Sequence, residues 1–187
     1  MPAIDYSTRE VRLRFVLIGP RAAGKATALR RLHAGLLPYE RTEIAATPGE
    51  PGEILSFEFV PGDLLPLAEY RPRATVATVS GADPSGPVWA RTCAESDALL
   101  FVADSRRAQL ADNVAALRQF AAVRGLREVP VVFFYNQRDH SEITSLAELE
   151  ARLNPMHAPH RSGNATTGEG LEGLLADLTR VTFSHAS

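Results

Sequence analysis

Apolar and polar positions change period several times along the chain. Val11 to Ile18 is entered through Arg12 and Arg14 and finishes in four consecutive apolar residues. That is the pattern of a central parallel strand buried on both faces. Asp97 to Asp104 and Val129 to Tyr135 repeat it. Ile54 to Val60 alternates instead, which predicts an outer strand, and Arg73 to Val79 predicts another. Leu29, Leu32 and Leu36 recur at three- and four-residue spacing and predict a helix over Ala26–Leu37. Ala108–Arg124 reads as an amphipathic helix. Shorter helices are expected near 88–96, over Leu146–Leu153 and over Gly170–Phe183. Residues 38–53, rich in Pro, Gly, Thr and Glu, predict a loop. Pro61-Gly62-Asp63 predicts a turn and Gly81–Pro87 a second loop. The two loops are the segments expected to move. Strands alternating with helices predict an α/β fold, a mostly parallel sheet covered on both faces. Without repeats or linkers, the expectation is one domain over 1–187, with a core of about 11–183 and short terminal tails.

Charge narrows the function classes. Twenty Lys and Arg against 22 Asp and Glu leave a net charge of −2. No broad basic face for nucleic acid follows from that balance. Cys93 is the single cysteine, so no intrachain disulfide forms, and buried filler is its default role. Met1 to Tyr6 lacks the basic and apolar regions of a signal peptide, Pro2 excludes the myristoylation pattern, and Ser184 to Ser187 is no prenylation box. The longest apolar runs are far too short to span a bilayer. A cytoplasmic protein with no direct membrane anchor is expected. His157 and His160 flank Ala158-Pro159, and the prolines break the helix that a shared metal would need. His140, Arg106, Arg107 and Trp89 read by default as surface, solvated helix entry and core.

The sharpest motif is Gly19-Pro20-Arg21-Ala22-Ala23-Gly24-Lys25-Ala26. It follows a buried strand and opens a helix, the context that a phosphate-binding loop requires. Backbone N–H groups wrap the phosphates, the helix N-terminus adds a favourable field, and the lysine bridges the terminal phosphates. The alternative is a glycine turn joining strand to helix. The pattern asks for Ser or Thr after the lysine as a Mg²⁺ ligand, and Ala26 stands there. Thr27 is one step on, rotated by about 100° around the helix. Binding of Mg²⁺ is therefore expected to be weak or absent.

Asn136-Gln137-Arg138-Asp139 follows the strand ending at Tyr135. An aspartate here accepts two hydrogen bonds from guanine's ring N–H and amino group, a pair that adenine does not offer. Small GTPases carry Asn-Lys-x-Asp at this place. The asparagine braces the phosphate loop, and the lysine stem, here Gln137, packs over the base. Taken alone, the spacing is also that of a turn or helix cap. Ala165-Thr166 would then sit where a backbone N–H meets the guanine carbonyl.

With these pieces the chain resembles the bacterial gliding-motility small GTPases (the MglA type), from about Arg12 to the final helix. The resemblance is carried by Ile18-Gly19-Pro20, Phe57-Glu58-Phe59-Val60-Pro61 with Gly62-Asp63, Phe101-Val102-Ala103-Asp104-Ser105 and Tyr135 to Asp139. It implies a P-loop NTPase fold of the Ras-like small G-domain type. It also implies GTP/GDP switching and a roadblock/MglB-type dimer as activating partner in polarity and motility. The chain departs from the family at four places. Ala26 replaces the metal-binding hydroxyl residue. Glu53 and Ile54 match the Arg-Thr of the first switch, although Thr42 or Thr47 are alternative switch threonines. In the second switch, Thr78-Val79-Ser80-Gly81-Ala82 stands where the family has Thr-Val-Pro-Gly-Gln. Gly81 keeps an N–H for a γ-phosphate, but Ala82 cannot orient water, and the adjacent Asp83 would be repelled by phosphate. Arg21 occupies a position usually held by glycine, either laying charge on the phosphates or exposed and inert.

An arginine finger is worth about 10³–10⁵ in rate, roughly 4–7 kcal/mol of barrier. Without it, the glutamine and the metal ligand, hydrolysis should fall near background, and no catalytic residue is expected. The resulting expectation is a regulatory switch or adaptor that binds GDP or GTP with weak or absent hydrolysis. The alternative is a nucleotide-independent scaffold for a roadblock-type partner. A P-loop phosphotransferase is a remote third reading, because Asp104 and Asp83 offer carboxylates but no lid segment is evident.

Overall fold

A computed structural model describes residues 2–49, 52–61, 70–80, 87–123 and 128–186. In chain order the elements are β1 (Ala3–Asp5), β2 (Glu10–Ile18), α1 (Lys25–Ala34), β3 (Ala45–Gly49), β4 (Gly52–Phe59), β5 (Arg71–Ser80), α2 (Pro87–Ala94), β6 (Ala98–Asp104), α3 (Leu110–Val123), β7 (Val131–Asn136), α4 (Leu146–Leu153), β8 (His160–Ser162) and α5 (Leu174–Ala186). The strands form one sheet in the order β3-β4-β5-β2-β6-β7-β8, with β1 antiparallel against the start of β2. The steps β5-β2-β6-β7-β8 are parallel, and β3-β4-β5 is antiparallel. The alternating strands and helices thus give the expected mostly parallel sheet, in the Ras-like P-loop arrangement that the resemblance implied.

Burial follows the two-residue period of the strands. Phe15 and Leu17 of β2 pack with Leu29 and Leu32 of α1 and Leu174 and Leu178 of α5. Val16 and Ile18 point the other way, into a layer with Phe120 of α3 and Leu149 and Leu153 of α4. Every residue of β6 and β7 is buried, which accounts for their unbroken apolar runs. Cys93 is buried in the second layer, matching its expected filler role.

Several boundaries differ from expectation, each with a local cause. The first helix stops at Ala34 rather than Leu37. Gly35 donates its N–H to Arg31 O, and Pro38 bars the residue before it from helical geometry. The segment 38–53 is not one loop, because it holds a 3₁₀ turn at Pro38–Glu40 and the edge strand β3. Thr42 zips it to β4: its N–H reaches Glu58 O at 2.8 Å, and the Glu58 N–H reaches Thr42 Oγ1 at 2.9 Å. Composition alone therefore underestimated the pairing of this segment. The last helix begins at Leu174 rather than Gly170. Gly170 and Gly173 both have φ of +75°, and a Cβ on Gly170 would lie 2.2 Å from Ser162 O. The 108–124 helix divides into a 3₁₀ turn at Arg107–Gln109 and α3. The strands β1 and β8 fall where tail and loop were expected. The Gly81–Pro87 loop up to residue 86, the Gly62-Asp63 turn and the Trp89 side chain lie outside the described residues.

Phe15 is fully buried between β2 and the α1–α5 layer. Phe15→Ala is expected to lower the unfolding free energy by about 3–5 kcal/mol, measured by urea denaturation. A loss under half of that would mean the layer collapses to fill the space.

Candidate functional site

The loop between β2 and α1 is shaped by glycines where a side chain would collide. At Gly19, with φ of +138°, a Cβ would stand 2.1 Å from Val102 O on β6. At Gly24, with φ of +94°, it would stand 2.3 Å from Asn136 Nδ2. Gly24 also forms the N-cap of α1 and offers no side-chain cap. The first N–H groups of the helix thus remain available to an anion, with the helix field favouring negative charge. Lys25 crosses the loop: its Nζ donates to Gly19 O at 3.0 Å and Pro20 O at 2.7 Å. Burial pushes its ammonium down to about 8. Arg21 and Ala22 are exposed at the loop tip, and Ala22 holds a left-handed φ of +61°.

Asn136, the last residue of β7, connects three segments. Its Nδ2 donates to Ala23 O at 2.7 Å, and its Oδ1 accepts the Ala165 N–H at 2.8 Å. Its backbone O accepts the Ser105 N–H at 3.0 Å. The side chain is almost fully buried, so both of its polar atoms are spent on loops that meet at the site. Arg138 adds two further ties, from its N–H to Gly163 O at 3.2 Å and from Nη1 to Thr144 O at 2.7 Å. Asp139 and His140 stand exposed on the same turn. Ala165 is tied to Asn136, with Thr166 next to it. Their N–H groups are donated within the protein, to Asn136 Oδ1 and, at 2.7 Å, to Asn164 Oδ1. A ligand carbonyl here would compete with those acceptors.

Gln137, also at φ of +61°, turns its amide inward. Its Nε2 donates to Ala22 O at 3.3 Å and to Asp104 Oδ2 at 3.1 Å. Asp104 is fully buried and pairs with Arg106, whose Nη2 lies 2.6 Å from Oδ2. The pair holds the Arg106 guanidinium above its ordinary range, chiefly through the hydrogen bond to Asp104. Arg106 is therefore more than a solvated helix entry. Sequence reasoning missed it because Arg106-Arg107 resembles a surface pair. The available signal was an acidic residue closing an unbroken apolar strand, which needs a cation close by.

The γ-phosphate and metal side is sparse. Ala26 presents a methyl group where a hydroxyl ligand would stand, and Thr27 is exposed. Among the described residues, no cluster of three His, Cys, Asp or Glu side chains forms a metal site. Thr47 lies on β3, opposite Ile54 on β4, with β5 between β4 and β2. At about 4.8 Å per strand, Thr47 is three spacings from the strand that feeds the loop. Thr42 is engaged with Glu58. The threonines weighed as switch residues therefore stand away from the phosphate loop in this conformation. Thr78 is buried, with its Oγ1 donating to Leu17 O at 3.2 Å, whereas Gly81, Ala82 and Asp83 lie outside the described residues. His160 faces Glu150 at 3.2 Å and stacks near Tyr135 rather than joining His157.

A groove of about 1070 Å³ opens elsewhere. It lies between the end of α1, Pro61 and the 167–180 segment, and it does not include the phosphate loop. An open loop that wraps an extended phosphate chain encloses little volume, so groove size is a poor guide to the chemistry here.

No protein-family model matches the chain. Among curated proteins it is similar to the Mutual gliding-motility protein MglA of Myxococcus xanthus (strain DK1622). The two are 27% identical over 193 residues, covering 99% of this chain and 97% of the relative. Among the described residues, no helix is long and apolar enough to cross a membrane.

Two predictions follow from the geometry. The Lys25 ammonium, lowered from 10.5 to about 8, penalises the folded chain fully below about pH 8. That penalty is relieved as pH rises toward 10.5, because only the unfolded chain then keeps the proton. Compared with Lys25→Met in urea unfolding, the wild type should gain stability across that window, and a constant gap counts against the assignment. Asn136→Ala leaves Ala23 O and the Ala165 N–H without their partner. At about 1–3 kcal/mol per buried orphan, it should cost about 2–6 kcal/mol. Calorimetric melting checks this.

Proposed function

We propose that this chain, which belongs to the MglA-type family of Ras-like small GTPases, is a guanine-nucleotide-binding regulatory protein that holds GDP or GTP and hydrolyses GTP at near-background rate. The observation that carries the reading is the brace at Asn136. One buried carboxamide fixes both the phosphate loop and the Ala165 segment, with Asp139 exposed on the same turn. That spacing suits a ligand with phosphates at one end and a base at the other. Gly19, Arg21, Ala22, Ala23, Gly24, Lys25, Ala26 and Thr27 would line the phosphates, with Gly81 toward a third phosphate. Asn136, Gln137, Asp139, Ala165 and Thr166 would surround the base.

Slow hydrolysis is supported by Ala26 and Ala82, which supply neither a metal ligand nor a water-orienting amide. An arginine finger alone contributes about 10³–10⁵ in rate in this reaction class. In the same reading the protein acts in the cytoplasm, in motility or polarity, with a roadblock/MglB-type dimer or other motility proteins as partners. A nucleotide-independent scaffold is the second reading, and one observation favours it. The Ala165 and Thr166 N–H groups are already satisfied inside the protein.

The test is melting temperature against GDP concentration, with and without Mg²⁺. Binding at 100 times Kd should add about 2.7 kcal/mol of stability, raising the melting temperature, and Mg²⁺ should change the shift little. No movement at millimolar GDP would sink the reading in favour of the scaffold. A wild-type turnover rate that Mg²⁺ raises by orders of magnitude would sink the hydrolysis part alone.

A further inference from the structure

Asp104 ends β6 with a carboxylate that has no solvent exposure. A charge so placed needs a counter-ion and several hydrogen bonds. Arg106 supplies most of them. Its Nε lies 3.1 Å from both carboxylate oxygens, its Nη2 is 2.6 Å from Oδ2, and its backbone N–H is 3.0 Å from Oδ1. The backbone of Asp104 is pinned as well. Asn113 Oδ1 accepts its N–H at 2.9 Å, and Asn113 Nδ2 donates to its O at 2.8 Å. The carboxylate is thus a fixed point rather than a mobile acceptor.

The amide of Gln137 hangs from this fixed point. Its Nε2 carries two hydrogens, and it reaches Asp104 Oδ2 at 3.1 Å and Ala22 O at 3.3 Å. A chain of contacts therefore runs from Arg106 through Asp104 and Gln137 to the phosphate loop. Both backbone ends of its last link, Ala22 and Gln137, sit at φ of +61°. Non-glycine residues keep that conformation only when the surroundings enforce it. Without the guanidinium, the buried carboxylate would lose its counter-ion and most of its hydrogen bonds, and Gln137 would lose a fixed anchor.

We propose that Arg106 is a positioning residue for guanine-nucleotide binding: paired with Asp104, it orients Gln137 and thereby the Ala22 side of the phosphate loop, supplying from beyond β6 the positive charge that an ammonium at position 137 would supply directly. The proposal rests on the guanine-nucleotide reading above. It explains how a neutral Gln137 serves at a place where Asn-Lys-x-Asp would put a cation. One cation beside Asp104 is needed, and either position can provide it.

The experiment is a double-mutant cycle with wild type, Arg106→Gln, Gln137→Lys and the double variant. GDP affinity is measured by titration calorimetry, and stability by urea unfolding. Arg106→Gln should weaken GDP binding by about tenfold or more, the size of one lost charge-assisted bond. Adding Gln137→Lys to it should return affinity to within about threefold of wild type. Gln137→Lys alone should bring no gain, because two cations then crowd one carboxylate. The effect of the lysine thus depends on residue 106, which a merely structural role does not predict. Equal effects of Gln137→Lys in both backgrounds overturn the proposal. So does Arg106→Gln that loses stability with GDP affinity unchanged. Should Arg106→Gln not fold, the double variant decides: folded with near-wild-type affinity supports the proposal, and unfolded or folded without affinity overturns it. A wild type that binds no GDP overturns the guanine-nucleotide reading together with this one. A wild type that binds, with additive substitutions, overturns only this one.

Discussion

A single buried carboxamide, that of Asn136, joins parts of the chain more than a hundred residues apart. One of its atoms holds the phosphate loop at Ala23 and the other holds the loop at Ala165. The contact is close enough that Gly24 must lack a Cβ. Glycine at 24 and asparagine at 136 are thus one constraint read from two sides. The sheet serves the same end. Because β2, β6 and β7 are adjacent and parallel, their C-terminal ends deliver Gly19, Asp104 and Asn136 to one edge. That is where α/β sheets place their ligands.

The site is lopsided. The groups that would hold two phosphates and a base are braced by protein hydrogen bonds and need no ligand to be arranged. Apart from Gly81, which lies outside the described residues, the groups weighed for sensing a third phosphate are replaced by alanine, engaged elsewhere or separated by intervening strands. A nucleotide switch works by differential affinity of its two states. On the proposed reading, a site built this way would spend its binding interactions on features shared by the diphosphate and the triphosphate.

The parts of this arrangement that were legible in the sequence are those whose physics is local. The unbroken apolar runs of β6 and β7 require burial on both faces. Gly-x₄-Gly-Lys requires its loop, and the short helix over Leu146–Leu153 lies where it was expected. What was missed depends on partners distant in sequence. β3 is a strand because β4 lies beside it, with Ala45 opposite Ser56 and Thr47 opposite Ile54, while its own Ala-Ala-Thr-Pro-Gly reads as a loop. The strand β8 is three polar residues that pair because β7 lies beside them. Arg106 looks solvated until Asp104 is known to be buried.

The left-handed backbone at Ala22 and Gln137 carries a further meaning. Each such non-glycine residue stores on the order of 1–3 kcal/mol of strain, and these two face each other across one hydrogen bond. The protein therefore sits uphill of its own relaxed loop even at rest. Glycine at either place would release the strain and also widen the range of loop shapes, so a more comfortable backbone would be a less prepared one. On the proposed reading, the discomfort at these two residues is the form in which the fold would store its readiness to bind.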